Sequence, residues 1–161
     1  MREFGLLKLQ ELRTNLEANK ISLSDAIVKA LPELKDREPD TTMVWLSNEL
    51  QGYSNSLDFY YQANHCVPEY RIVDGSLKLM NKEGNLVNVE HPLADRSKYF
   101  LSAPVSWLEE SATLPGELSV TEMPELSPDK NGGQVIVLEY SHTQLQNTLT
   151  EIKNKLLDLL N

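Results

Sequence analysis

Residues 45–71 read WLSNELQGYSNSLDFYYQANHCVPEYR, and in this stretch a helix, a loop and the approach to a first strand meet. Met43, Leu46 and Leu50 recur at helical spacing, and Trp45 and Glu49 lie one turn apart on a neighbouring face, so the stretch opens as the end of an amphipathic helix. Gly52 is the predicted stop, since glycine most cheaply takes the positive φ that follows a helix. The aromatic segment SNSLDFYYQ then reads as irregular. Pro68 biases the residue before it toward extended geometry. From there Tyr70, Arg71, Ile72 and Val73 are expected to form a strand that enters a tight turn at Asp74-Gly75.

Working outward toward the N-terminus, Phe4, Leu7, Leu9, Leu12 and Leu16 predict a first helix over residues 3 to 19. Ser22 followed three residues later by Asp25 forms a capping pair for a second helix over 23 to 35, with Pro32 marking a kink or an end. KDREPD is a polar connector, and Asp40, Thr41 or Thr42 is expected to cap the third helix.

Toward the C-terminus, LKLMN and LVNVEH around KEG are hairpin chemistry, with Gly84 at the position that needs positive φ. Together with YRIV they predict a small antiparallel meander. Ser102, Pro104 and Glu109 around Val105, Trp107 and Leu108 predict one short helix, and residues 113–133, rich in proline and glycine, a long loop in which LSVTEM can form an edge strand. QVIVLEY is apolar on both faces and belongs in the middle of the sheet. A helix over 143 to 160 closes the chain, with Leu145, Leu149, Ile152, Leu156 and Leu159 in one stripe and Glu151 to Lys155 as an i,i+4 ion pair. The expected class is α+β: N-terminal helices, a small, mostly antiparallel sheet and a long C-terminal helix, all in a single domain over residues 1–161.

WLSNELQGY followed by a loop and PEYR, with a glycine shortly after, resembles the AbiTii domain of abortive-infection phage-resistance proteins. LSDAIVKALPEL, APVSWLEES and TEIKNKLLDLL fall where that family has comparable segments, so the resemblance covers nearly the whole chain. DREPDTTMV is more proline-broken and polar than the family pattern. The resemblance implies a setting in anti-phage defence and supplies no catalytic signature.

Acidic residues outnumber basic ones 24 to 15, for a formal charge of −9. Polynucleotide binding relies on many cationic contacts to phosphate and is disfavoured, although Lys78, Lys82, Arg96 and Lys98 could form a local basic patch. No apolar run reaches the roughly 18 residues that span a bilayer, and no signal-peptide core opens the chain, so a cytoplasmic location is expected.

Phosphate-loop, dinucleotide, zinc-protease and nucleophile-elbow motifs are missing from the sequence. Cys66 is the one cysteine, and its neighbour His65 points the other way on an extended segment, which argues against a Cys-His pair. His65, His91 and His142 show no shared metal spacing. No catalytic residue, metal ligand or cofactor is therefore assigned.

Glu49 and Arg71 have two readings: a structural ion pair between helix end and strand, or a recognition site built from Glu49, Tyr53, Tyr70 and Arg71 in which the guanidinium holds an anionic ligand. Tyr53, Phe59, Tyr60 and Tyr61 likewise form either a lid over core or an exposed anchor for a partner. The stripe Leu145, Leu149, Ile152 and Leu156 packs inside the domain or serves as a homo-oligomer seam. The functional expectation is a defence module that binds an unknown protein or small molecule. Its alternatives are an enzyme acting on a small nucleotide and a purely structural oligomerisation module.

Overall fold

The computed structural model describes residues 2–54, 56–62, 67–126 and 134–161. Three helices come first: α1 (Arg2–Glu17), α2 (Leu23–Leu34) and α3 (Asp40–Gln51). Ser22 caps α2 as expected, its hydroxyl accepting from the Asp25 amide at 3.1 Å. Glu109 adds a second cap across the fold, its carboxylate accepting from the Leu23 and Ser24 amides at 2.8 and 3.1 Å. An acid at a helix N-terminus satisfies orphan donors and meets the positive end of the helix dipole. Pro32 lies inside α2 rather than ending it, two residues from the C-terminus, so the backbone bond it removes belongs to the last turn. The cap expected from Asp40, Thr41 or Thr42 is not there: α3 begins at Asp40 with Pro39 before it, and no side chain caps it.

The aromatic segment contains a single-turn helix, α4 (Asp58–Tyr61), where irregular chain was expected. Glu69–Arg71 form a 3₁₀ turn, so Tyr70 and Arg71 precede the strand instead of belonging to it. Strand β1 (Ile72–Met80) then runs straight through Asp74-Gly75, where the sequence predicted a turn. Gly75 is needed for another reason. A Cβ there would come within 2.7 Å of the Glu139 carbonyl on the neighbouring strand, a distance side chains do not tolerate.

The remaining elements are β2 (Leu86–Asn88), β3 (Lys98–Phe100), α5 (Val105–Ala112), β4 (Leu118–Glu122), a second 3₁₀ turn (Pro124–Leu126), β5 (Val135–Ser141) and α6 (His142–Leu159). All pairings are antiparallel; the order is β2-β1-β5-β4, and β3 pairs with the start of β1, Ile72 opposite Phe100. The hairpin at KEG is present, with Gly84 at φ +80. LSVTEM supplies the edge strand β4. β5 lies between β1 and β4 and buries Ile136, Val137 and Leu138 in succession, as its two-sided apolar pattern requires.

One core cluster joins α1, α2, α5 and α6 to the sheet through Leu16, Ile27, Leu34, Leu108, Leu138 and Ile152. At roughly 1.5–3 kcal/mol per fully buried aliphatic side chain, that cluster is the main favourable contribution to folding. The class is α+β. No described helix is long and apolar enough to cross a membrane.

Candidate functional site

The site grows from the punctuation of residues 45–71. Gly52 ends α3 with φ +93, and a Cβ there would approach the Ser102 carbonyl at 3.0 Å and Pro104 Cδ at 3.1 Å. Because the backbone can turn there, the Tyr53 amide donates to Ser102 O at 2.9 Å and the tyrosine ring stands over the last turn of α3. Pro68, at φ −61, starts the 3₁₀ turn that separates two consecutive side chains: Tyr70 stays half-buried and Arg71 goes fully inside. Thr148 on α6 fastens this turn by donating to Tyr70 O at 2.6 Å.

Arg71 and Glu49 are both completely buried and meet in a two-pronged ion pair, with Nη2 to Oε1 at 2.8 Å and Nε to Oε2 at 3.1 Å. Arg71 Nη1 donates to the carbonyls of Leu101 and Ala103 at 2.5 and 2.7 Å. Glu49 Oε2 accepts from Tyr53 Oη and, at 2.7 Å, from Tyr70 Oη, which itself accepts from Trp45 Nε1 at 2.7 Å. The guanidinium carbon lies 4.9 Å from the centre of the Tyr53 ring.

Desolvation first, and the Glu49 carboxylate second, push the Tyr53 and Tyr70 phenols well above their ordinary range, so both stay protonated as donors. A buried charge is tolerated when it is paired and hydrogen-bonded, and here the donors and acceptors converge on one carboxylate. This geometry corresponds to the structural ion-pair reading. The guanidinium has no exposed surface on which to hold an anionic ligand.

In front of the cluster lies an open groove of about 1130 Å³ between α3, the 3₁₀ turn and α6. Trp45, Tyr53 and Tyr70 line it, with Val44, Asp40 and Glu69 among the other lining residues. Thr41, Trp45 and Lys155 also line an adjoining cavity of about 480 Å³ that reaches Asp158. Lys155 Nζ sits 5.4 Å from the Trp45 ring centre and 5.8 Å from that of Tyr70, within cation–π range. It forms no ion pair with Glu151, although the i,i+4 spacing predicted one. Glu151 lines the same groove.

Of the four residues grouped as a recognition site, Glu49 and Arg71 thus form the buried foundation, while Tyr53 and Tyr70 reach both the cluster and the groove. Trp45, Val44 and Lys155 were missed as site residues. The helical spacing of Trp45 and Glu49 was a usable signal; nothing local marked Lys155, which arrives from the far end of the chain.

The stripe considered as an oligomer seam is turned inward: Leu145, Ile152 and Leu156 have no exposed surface, and Leu149 is partly covered against the core. Those three side chains are occupied by the chain's own helices and sheet. Most of the aromatic segment also folds back as a lid, with Tyr53 and Phe59 against Phe100 and Tyr60 against Tyr99; Tyr61 alone is largely exposed. Three of the four residues considered as a basic patch have separate partners: Lys98 pairs with Asp74 at 2.7 Å, Lys78 bonds Asn88, and Arg96 donates to the Tyr60 carbonyl. His65 and Cys66 lie outside the described residues. Among the described residues no group of His, Cys, Asp and Glu is arranged to hold a metal ion.

The fold and site together define an α+β protein with an aromatic groove supported from behind by a buried ion pair. The chain matches the AbiTii family over residues 9–161 and belongs to it. The family name points to abortive infection, a form of anti-phage defence. No curated protein and no solved structure matches the chain.

Proposed function

We propose that this AbiTii domain contributes to anti-phage defence in the cytoplasm by binding, and that the groove between α3 and α6 is where it binds. The observation that carries this reading is the direction of the polar cluster: a desolvated carboxylate and guanidinium hold two tyrosines and, through Tyr70, a tryptophan in fixed orientations along an open surface. Aromatic rings held in place give contact area at little entropic cost, which is what recognition surfaces use.

Val44 is 58% exposed and lines the groove, so Val44→Trp obstructs it without touching the core. Cells carrying the complete locus with Val44→Trp are expected to lose protection in phage plating, while the purified variant keeps its melting temperature. Full protection by that variant would overturn the reading.

A further inference from the structure

We infer that the groove accepts the lysine side chain of a basic segment on a partner protein, and that Lys155 is an internal stand-in for that ligand. The inference rests on the binding role proposed above and adds its chemistry. Among the described residues lining the groove and its adjoining cavity, Asp40, Glu69, Glu151 and Asp158 are acidic and Lys155 is the single cation. The one ammonium present lies over Trp45 and Tyr70 and makes no ion pair with its i,i+4 carboxylate. The rings therefore already hold a lysine head group.

Phosphate-bearing ligands are a poor match, because Arg71 is buried and committed to Glu49 and the chain carries a charge of −9. A protein segment also fits the dimensions. Small-molecule sites run from roughly 300 to 1,000 Å³, and this groove, at about 1130 Å³ before its adjoining cavity is added, is larger and open. An incoming lysine would replace Lys155 over the rings, freeing it to move toward solvent, to which it is already exposed. Exchange of one ammonium for another leaves the aromatic site satisfied in both states, and the rim carboxylates favour the arrival of a cationic segment.

The chain has two tryptophans, so Trp107→Phe leaves Trp45 as the only indole reporter in the groove. In that background a deca-lysine peptide is expected to quench Trp45 fluorescence saturably, whereas deca-glutamate and ATP do not. Lys155→Met, which removes the resident cation, should tighten deca-lysine binding by about two- to five-fold, the ratio that corresponds to an exposed cation–π contact.

The triple variant Asp40→Asn, Glu151→Gln, Asp158→Asn should weaken binding by roughly tenfold, through loss of several solvent-exposed charge interactions. A charge-matched control, Glu83→Gln, Glu90→Gln, Glu110→Gln, should change it far less. Equal weakening by the two triple variants, weaker binding in Lys155→Met, or spermidine binding as tightly as the peptide would each overturn the inference. The two proposals separate cleanly: if Val44→Trp abolishes protection but deca-lysine leaves Trp45 unchanged, only the ligand chemistry is wrong.

Discussion

Tyr70 has two ends in two different environments. Its hydroxyl enters a dry cluster in which Glu49 and Arg71 have no exposed surface, and its ring forms part of a wet groove beneath Lys155. Inside, charge is desolvated and has to be matched donor for acceptor, so those groups are committed to the fold. Outside, the same kind of charge is hydrated and its contact with the rings is worth only about 0.5–1 kcal/mol, so it can be exchanged. The difference teaches that the most polar residues here support the site, and that the groups free to meet a ligand are those the fold holds weakly.

The sharpest way to break this contrast is Arg71→Ala. It leaves Glu49 buried without its cation, and a loss of about 3–5 kcal/mol in urea unfolding is expected; near-native stability would mean that the guanidinium is free for other work. Replacing both charges, Glu49→Leu with Arg71→Met, should recover a large part of that loss, since no unpaired charge remains. Next comes Ile152→Ala, which removes a fully buried side chain from the α6 stripe and should cost about 2–5 kcal/mol at any protein concentration. Stability that depends on concentration would instead return the stripe to a role between copies.

A third test concerns Glu125, whose carboxyl is held above its ordinary value of 4.5, chiefly by burial, with Ser102 donating to it at 2.8 Å. The folded state binds this proton more tightly than the unfolded chain. The stabilisation is therefore complete below pH 4.5 and declines as pH rises through the elevated folded value. Glu125→Gln should flatten that decline in pH-dependent unfolding curves and raise stability at neutral pH. Lys155→Met is the smallest perturbation, with a stability change of at most about 1 kcal/mol and, in the groove, a gain in affinity for cations.

Much of the architecture was legible because periodicity and punctuation are local. The Ser22–Asp25 cap, the Gly52 stop, the Gly84 hairpin and the central placement of β5 each follow from a few neighbouring residues. Asp74-Gly75 misled for an informative reason. That dipeptide favours a turn in isolation, but β5 pairs with β1 from Gly75 through Met80, and the glycine admits the close approach of Glu139. Tertiary hydrogen bonding overrode the local preference.

The site was half legible. Glu49, Tyr53, Tyr70 and Arg71 stood out as polar and aromatic residues grouped around a helix end and a return segment, and the fold does bring all four together. Which of them face water was hidden, because consecutive residues such as Tyr70 and Arg71 are separated only by the 3₁₀ turn.

The sequence by itself determined the family, the fold class, most of the helices and strands, and the residues that had to find polar partners, since these depend on composition and on spacing along the chain. Only the tertiary structure decided that Arg71 meets Glu49 across 22 residues and that Lys155, from the last helix, rests on Trp45 of the third helix. Charges choose partners by distance and dielectric in the folded state, and neither quantity exists until the chain has closed on itself.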